Sequence, residues 1–499
     1  MRHPLLVPCL FAAAAALPAQ GDFDLDKVTA GTLGAPLTLQ VRNATANMPC
    51  LVMASFTAGP VPIALIDPLD PRSVAVGLDL IDAWFLLATN GAGGVQFAVG
   101  LPNDPAFQGG VLHWQCATLP GVTTLFDELS NPLLVHLGQP STSAALPNPL
   151  LAARAGATVC WNRLRDAGAG DVLLASGGTS EIVGFRSLAS VAGPAMVTPR
   201  ALHAAATLND GRVLFTGGVD GAALVTTSCE IYDPATNTFT AVAPLNGPRA
   251  GHAAATLPDG RVMVVGGTTN FTDITTAAAG SLNTVEIYNP GTNTWAAGPA
   301  IGGRRLVPSL TRLSTGRMLV AGGIEITVLF GIPIGATSTI KAQLYNPATN
   351  TWSNAANMPS GRAYHQDSQV TLADGRVLLS GGVLVPDLIS AANSASIANA
   401  DVYNPATNTW VATTMSRART GHSATRLASG QVIVCGGAEG LLSAAIAIDA
   451  VARFDAATNS WVDLSPLTQP RAGHSAALLP DGHLLILGGG TTSGEALHF

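Results

Sequence analysis

The stretch YNPATNTW, Tyr345–Trp352, recurs letter for letter at Tyr403–Trp410. Near copies stand at Tyr232–Phe239 (YDPATNTF), Tyr288–Trp295 (YNPGTNTW) and Phe454–Trp461 (FDAATNSW). Its chemistry is that of a turn between two strands. Proline stops the incoming strand because it cannot donate to a ladder. Asparagine tolerates a left-handed backbone and reverses the chain. The closing aromatic ring, Trp295, Trp352, Trp410 or Trp461, opens the outgoing strand with a large apolar surface. A motif of this kind used five times is a building part, repeated because the architecture repeats.

Other positions recur in phase with it. Gly-Gly pairs begin at Gly177, Gly217, Gly266, Gly322, Gly381, Gly436 and Gly488, each closing a short β-rich run such as RVMVVGG. An arginine precedes each run: Arg154, Arg200, Arg249, Arg305, Arg362, Arg419 and Arg471. Five of these continue as R-x-x-H, at His203, His252, His365, His422 and His474. Two residues before the turn's tyrosine stands an acceptor, Glu230, Glu286, Gln343 or Asp401, with Glu181 and Glu495 as equivalents in the end repeats. The period of 40–59 residues is that of a four-stranded propeller blade. An Asp-Gly or its equivalent turns strand 1 into strand 2.

The pattern R-x-x-H, then D-G-R-V-x-x-x-G-G, then E-x-Y-[DN]-P-x-T-N-T-W resembles the kelch repeat, over roughly residues 139–499. The resemblance implies an all-β fold, a seven-bladed kelch β-propeller similar to the central domain of galactose oxidase. The last repeat has room for three strands only, ending in GEALHF, so a strand near Ser141–Leu146 is expected to close blade 7. Residues 21–138 read as a small all-β, sandwich-like module, with apolar runs between Gly, Pro and Asn turns. Residues 1–20, MRHPLLVPCLFAAAAALPAQ, read as a signal peptide, which predicts export to the medium, the periplasm or the cell envelope.

Composition excludes some functions. Only 11% of the 499 residues are charged, the net charge is −7, and no basic run exists to follow a nucleic acid. No later apolar stretch suggests a transmembrane anchor, and a monomer is expected. No C-x-x-C spacing supports a metal site. In an oxidising compartment Cys50 and Cys116 are expected to form a disulfide. Cys160, Cys229 and Cys435 lie in strand-like runs and read as buried thiols.

Function is expected on the long, variable connections between strands 2 and 3 of each blade. Those of blades 4 to 6 carry Leu329, Phe330, Ile332, Leu384, Leu388, Leu441 and Leu442. This apolar rim would receive a protein or glycan partner, or would seat the N-terminal module. The arginines would ring the channel mouth and attract carboxylates, or pair with the acceptors of their own blades; pairing is favoured in so charge-poor a chain. Ala452 replaces the acceptor in blade 6, which leaves Arg419 as a candidate binding residue. The histidines recur at one blade position, as packing residues do.

Tyr364 and His365, in GRAYHQDSQ, resemble the Tyr-His segment that supplies copper ligands in galactose oxidase. That family also requires a tyrosine crosslinked to cysteine and a further histidine from a C-terminal domain. Here Cys160 has His203 at or beside the matching tyrosine position, and the chain ends inside blade 7. The expectation is therefore an exported, non-catalytic kelch-repeat protein without a cofactor, binding a protein or glycan. The alternative is a galactose-oxidase-like copper-radical oxidase or sugar-converting enzyme at the channel mouth. A third possibility is a structural component of the cell envelope.

Overall fold

Each copy of the turn motif joins the third and fourth strands of one sheet. In Tyr345–Trp352 the Asn346 side chain accepts from the Ala348 N–H at 3.0 Å, and Asn350 adopts φ 55°. Asn350 then accepts the Tyr345 hydroxyl at 2.8 Å, while Tyr345 and Trp352 pair across the strands with ring centroids 5.2 Å apart. The same Tyr–Asn bond recurs at Tyr232, Tyr288 and Tyr403. The tryptophan also reaches the preceding blade: Trp295 Nε1 donates to Ala243 O, Trp352 to Pro299 O and Trp410 to Ala356 O. One octapeptide thus fixes a hairpin and an inter-blade contact.

The computed structural model describes residues 23–63, 72–76, 84–108, 110–119, 126, 128–146, 150–153, 157–162, 171–184, 188–272, 274–330, 332–365, 368–387 and 393–499. The expected signal peptide, Arg154 and Leu388 lie outside them, as do the side chains of Cys160 and Ile332. The described residues contain a succession of propeller-type antiparallel sheets, six of four strands and one, that of blade 5, of five, in which Val383–Leu384 is the added strand. Blade 3, for example, is built from Ala253–Thr256, Val262–Val265, Val285–Asn289 and Thr294–Gly298. In the last sheet, Ser143–Ala145 pairs antiparallel with Gly494–Leu497, so the two ends of the propeller segment share one blade.

Apolar side chains fill the wedges between neighbouring blades. Ala253, Met263 and Ile287 of blade 3 meet Leu310, Met318 and Tyr345 of blade 4. Leu174 and Val183 of blade 1 meet Leu485 and Leu487 of blade 7, which carries the packing round to the start. Burying rows of Val, Leu and Ile on both faces of every second strand is the main stabilising term.

Ahead of the propeller, a three-stranded sheet (Asp24–Lys27, Pro36–Arg42, Val95–Gly100) packs on a five-stranded one. The second sheet holds Gly31–Thr32, Leu133–Gly138, Val111–Thr118, Pro49–Ser55 and Trp84–Ala88 in that order. Their inner faces share a core that includes Leu39, Val41, Phe97, Val52, Trp114 and Val135.

The sandwich meets the propeller at blade 7 through a buried polar chain. Lys27 ion-pairs with Asp481 at 3.2 Å, both side chains fully buried. Asp481 engages His483 Nδ1 at 2.8 Å, and His483 Nε2 lies 3.1 Å from His498 Nδ1. His498 Nε2 lies 3.2 Å from His136 Nδ1, and His136 Nε2 donates to Ala145 O at 2.8 Å. Lys27 and His136 belong to the sandwich strands; Asp481, His483 and His498 belong to blade 7.

The expected disulfide is not formed. Cys50 and Cys116 are free, buried thiols on neighbouring strands. Cys50 stands opposite Thr118 and Cys116 opposite Val52, so the two are diagonal rather than facing. Their side chains nonetheless meet as a hydrogen-bonded pair of thiols.

Candidate binding face

The repeated polar residues build the frame of the face and are withdrawn from it. Arg200, Arg249, Arg305, Arg362, Arg419 and Arg471 are at most 2% exposed. Each lies just before the first strand of its blade and sends Nη1 to the carbonyl of the first glycine in its own Gly-Gly pair, as Arg200 does to Gly217 O at 2.8 Å. Its main-chain carbonyl accepts from a glycine of the preceding blade's pair, the first for Arg200 (Gly177 N–H) and the second for the others, as in Gly218 N–H to Arg249 O, Gly323 to Arg362 O and Gly437 to Arg471 O. Each arginine therefore clasps two blades. Salt bridges complete four of them, Arg200–Glu230 at 2.8 Å, Arg249–Glu286 and Arg362–Asp401 at 2.5 Å, and Arg471–Glu495 at 2.6 Å.

The glycine pairs make this approach possible. Gly322 has φ +61°, and a Cβ there would lie 2.6 Å from Arg362 O and 2.7 Å from His365 Cε1. No side chain larger than hydrogen fits that corner.

Four of the R-x-x-H histidines, His252, His365, His422 and His474, are buried between blades, and His203 is half-buried. His252 shares a hydrogen bond with Thr216 Oγ1 at 2.8 Å, His422 with Ser380 Oγ at 3.0 Å and His474 with Ser423 Oγ at 2.9 Å, each on the preceding blade. Burial is the main force lowering their pKa values, reinforced by the neighbouring arginine: His203 falls to about 4, His365 and His474 to about 3. They are neutral packing residues.

Arg419 is likewise fully buried, so it offers no charge to a partner at the surface. Its Nη1 donates to Gly436 O and Ala450 O, and Ala452 stands where other blades place a carboxylate. Tyr364 and His365 part company. Tyr364, at φ 54°, joins an apolar cluster with Ile324, Val383 and Val385, whereas the His365 ring lies against Gly322 between blades 4 and 5. Among the described residues no three His, Cys, Asp or Glu side chains gather to hold a metal.

The long connections form a packed canopy. In blade 4 the connection is a hairpin, Ile324–Leu329 with Ile332–Ser338. The helix Ile274–Ala279 of blade 3 packs on it through Ala277 and Ala278. Ser338 N–H donates to Val385 O in blade 5, and Ser396 N–H of blade 5 to Gly440 O in blade 6. Leu442 N–H closes the line on Ser394 O. Blades 3 to 6 thus share one continuous rim with its own apolar interior.

The outer side of that rim is apolar. Phe330, at the hairpin tip, is 94% exposed, and Leu329, Leu384, Leu441 and Leu442 are each about half exposed. Ile334 and Ile446 on these connections are exposed as well, two residues not singled out from the sequence. These exposures hold with the sandwich in place, so the rim does not seat the N-terminal module. The module sits instead on blade 7. At this turn blades 2, 3 and 5 read Asp-Gly-Arg but blade 7 reads Asp481-Gly482-His483, a departure that sets blade 7 apart without naming its partner.

Known proteins agree with this geometry. The chain is 26% identical over 310 residues to the Kelch-like protein terF of Aspergillus terreus (strain NIH 2624 / FGSC A1156), a match covering 60% of this chain and 63% of that protein's length. Its fold is similar to that of a fungal alcohol oxidase of the AA5 family solved in complex with copper, with a TM-score of 0.53 at 17% identity over 71% of this chain and 75% of the other. A likeness at that identity concerns the fold alone. The family model described as Attractin/LZTR1 beta-propeller matches residues 188–447, slightly more than half of the chain. The chain belongs to the Attractin/LZTR1 beta-propeller family and is a kelch-type propeller.

Proposed function

We propose that this is an exported, non-catalytic recognition protein that binds a protein or glycan partner through the long-connection rim of blades 3 to 6. The observation that carries the reading is the uncovered apolar patch around Phe330 on a rigid, internally packed canopy. A contiguous exposed apolar patch rimmed by polar residues is the usual mark of an interaction site. Aromatic and aliphatic anchors on a preorganised frame lose little conformational freedom on binding. The patch favours a protein with a complementary apolar surface over a polar glycan. The Tyr364–His365 geometry gives no support to the copper-radical alternative.

The test is binding of the full chain to a panel of glycans and extracellular proteins, compared with a variant whose residues 326–334 are replaced by a short Gly/Ser turn. Thermal melting verifies that the variant is folded. A partner bound by the native chain and lost by the folded variant supports the rim as the site. A partner retained by the variant places recognition elsewhere, and alcohol-dependent peroxide production by copper-loaded protein would overturn the non-catalytic reading.

A further inference from the structure

In three blades one carboxylate serves two donors at once. Glu230 takes the Arg200 guanidinium on Oε1 and the Val197 N–H on Oε2 at 2.6 Å. Glu286 does the same for Arg249 and the Asn246 N–H, and Glu495 for Arg471 and the Thr468 N–H. Blade 4 has Gln343 at this position. An amide has one acceptor oxygen. Gln343 Oε1 accepts from the Gly302 N–H at 3.1 Å, which leaves its NH₂ group where the second carboxylate oxygen would stand. Flipping the amide only transfers the deficit to Gly302.

The consequence falls on Arg305. Its Nη1 donates to Lys341 O at 3.0 Å and Gly322 O at 3.4 Å. Its Nε and Nη2 have no acceptor, although the side chain is fully buried. Two charged groups face it. Glu325 lies opposite on the neighbouring strand, but its carboxylate is held by Lys341 Nζ at 2.6 Å and Thr339 Oγ1 at 2.9 Å. Burial lowers the Arg305 pKa to about 10, with Glu325 opposing weakly. Blade 6 differs in one respect. Its acceptor position is Ala452, yet Asp463 stands directly across on the fourth strand and adds negative charge beside Arg419. The corresponding residue in blade 4 is the neutral Asn354.

We propose that blade 4 holds a small monovalent anion of chloride size against Arg305 Nε and Nη2, beside the Gln343 amide that replaces the carboxylate of other blades. The Gln343 NH₂ already donates to Asn354 Oδ1 at 3.5 Å, so the two free guanidinium donors make the site, at the base of the Phe330 hairpin. An uncompensated buried guanidinium is strongly unfavourable, and a small anion supplies the missing charge as well as the missing acceptor. A water molecule would supply the acceptor alone.

The experiment uses the full chain in two measurements. Crystals soaked in sodium bromide are examined for anomalous signal, and melting is followed in chloride, bromide and the bulkier isethionate at equal ionic strength, for native protein and Gln343→Glu. The expected results are a bromide peak in contact with Arg305 and a native Tm several degrees higher in either halide than in isethionate. Gln343→Glu should melt above the native protein in isethionate and lose the halide increment. A water-sized peak without anomalous signal at Arg305, or a halide increment that persists in Gln343→Glu, overturns the proposal. Should that variant fail to fold, the bromide map of the native protein decides alone.

Discussion

Lys27 Nζ and the Asp481 carboxylate meet at 3.2 Å with no solvent access to either, one from the first strand of the sandwich and one from the first turn of blade 7. A buried ion pair adds little to stability in itself, yet removing one partner strands the other charge. Lys27→Met should therefore destabilise the protein by about 3–5 kcal/mol, and adding Asp481→Asn should restore part of that loss. Urea denaturation of the two single variants and the double variant measures the coupling. Strictly additive effects would mean that the two modules are not joined through this pair.

The buried histidines predict the direction of acid sensitivity. Their folded-state pKa values lie below the ordinary 6.5: about 4 for His136 and His203, about 3 for His365 and His474, about 2 for His498. Desolvation is the leading cause in each. Between 6.5 and those values the unfolded chain binds more protons than the folded one, so stability is complete above 6.5 and declines as pH falls. Urea midpoints should drop steadily from pH 7 to pH 4. A flat profile over that range would show that the histidines are solvated in solution.

Asn408 carries the turn of blade 5 in three ways: φ 52°, acceptance of the Tyr403 hydroxyl at 3.0 Å, and acceptance of the Ala356 N–H of the preceding blade at 3.0 Å. Asn408→Ala loses the bonds and strains the backbone, for about 2–4 kcal/mol in total. Asn408→Gly keeps the left-handed backbone and should recover about 1–2 kcal/mol of that. Thermal or urea melting of both separates backbone from side chain; equal losses would remove the conformational part of the account.

Gly381 tests the clasp between blades. It lies at φ +55°, and a Cβ there would stand 2.6 Å from His422 Cε1. Gly381→Ala is expected to lose more than about 4 kcal/mol, at the severe end for single substitutions. Gly291→Ala, in an exposed turn, serves as the comparison. Similar melting of the two variants would show that the corner can relax.

The blade was legible because its chemistry is local and repeated. Proline, asparagine and tryptophan at fixed offsets define a hairpin before any long-range contact is known, and the Arg–Glu pairing followed from the scarcity of other partners for a buried cation. The contact between sandwich and propeller was not legible, because Lys27 and His136 find Asp481 and His498 only after the ring brings both ends of the chain together. The disulfide expectation rested on two cysteines sharing one module of an exported chain. Register sets them on a diagonal. The apolar rim was visible as composition, but only folding shows that Val383 and Val385 turn inward while Phe330 points out.

Under the function proposed above, this propeller meets its partner at the rim around Phe330. The most direct measurement places a photo-reactive amino acid at position 330 and, in a second protein, at Ser429 in the exposed strand 1–2 turn of blade 6. Both are irradiated with the full secreted and envelope fraction of the source cells. The account predicts a discrete adduct from position 330, abolished when Leu329 and Leu384 are also changed to serine, and none from position 429. An adduct from position 429 with none from 330 would contradict it.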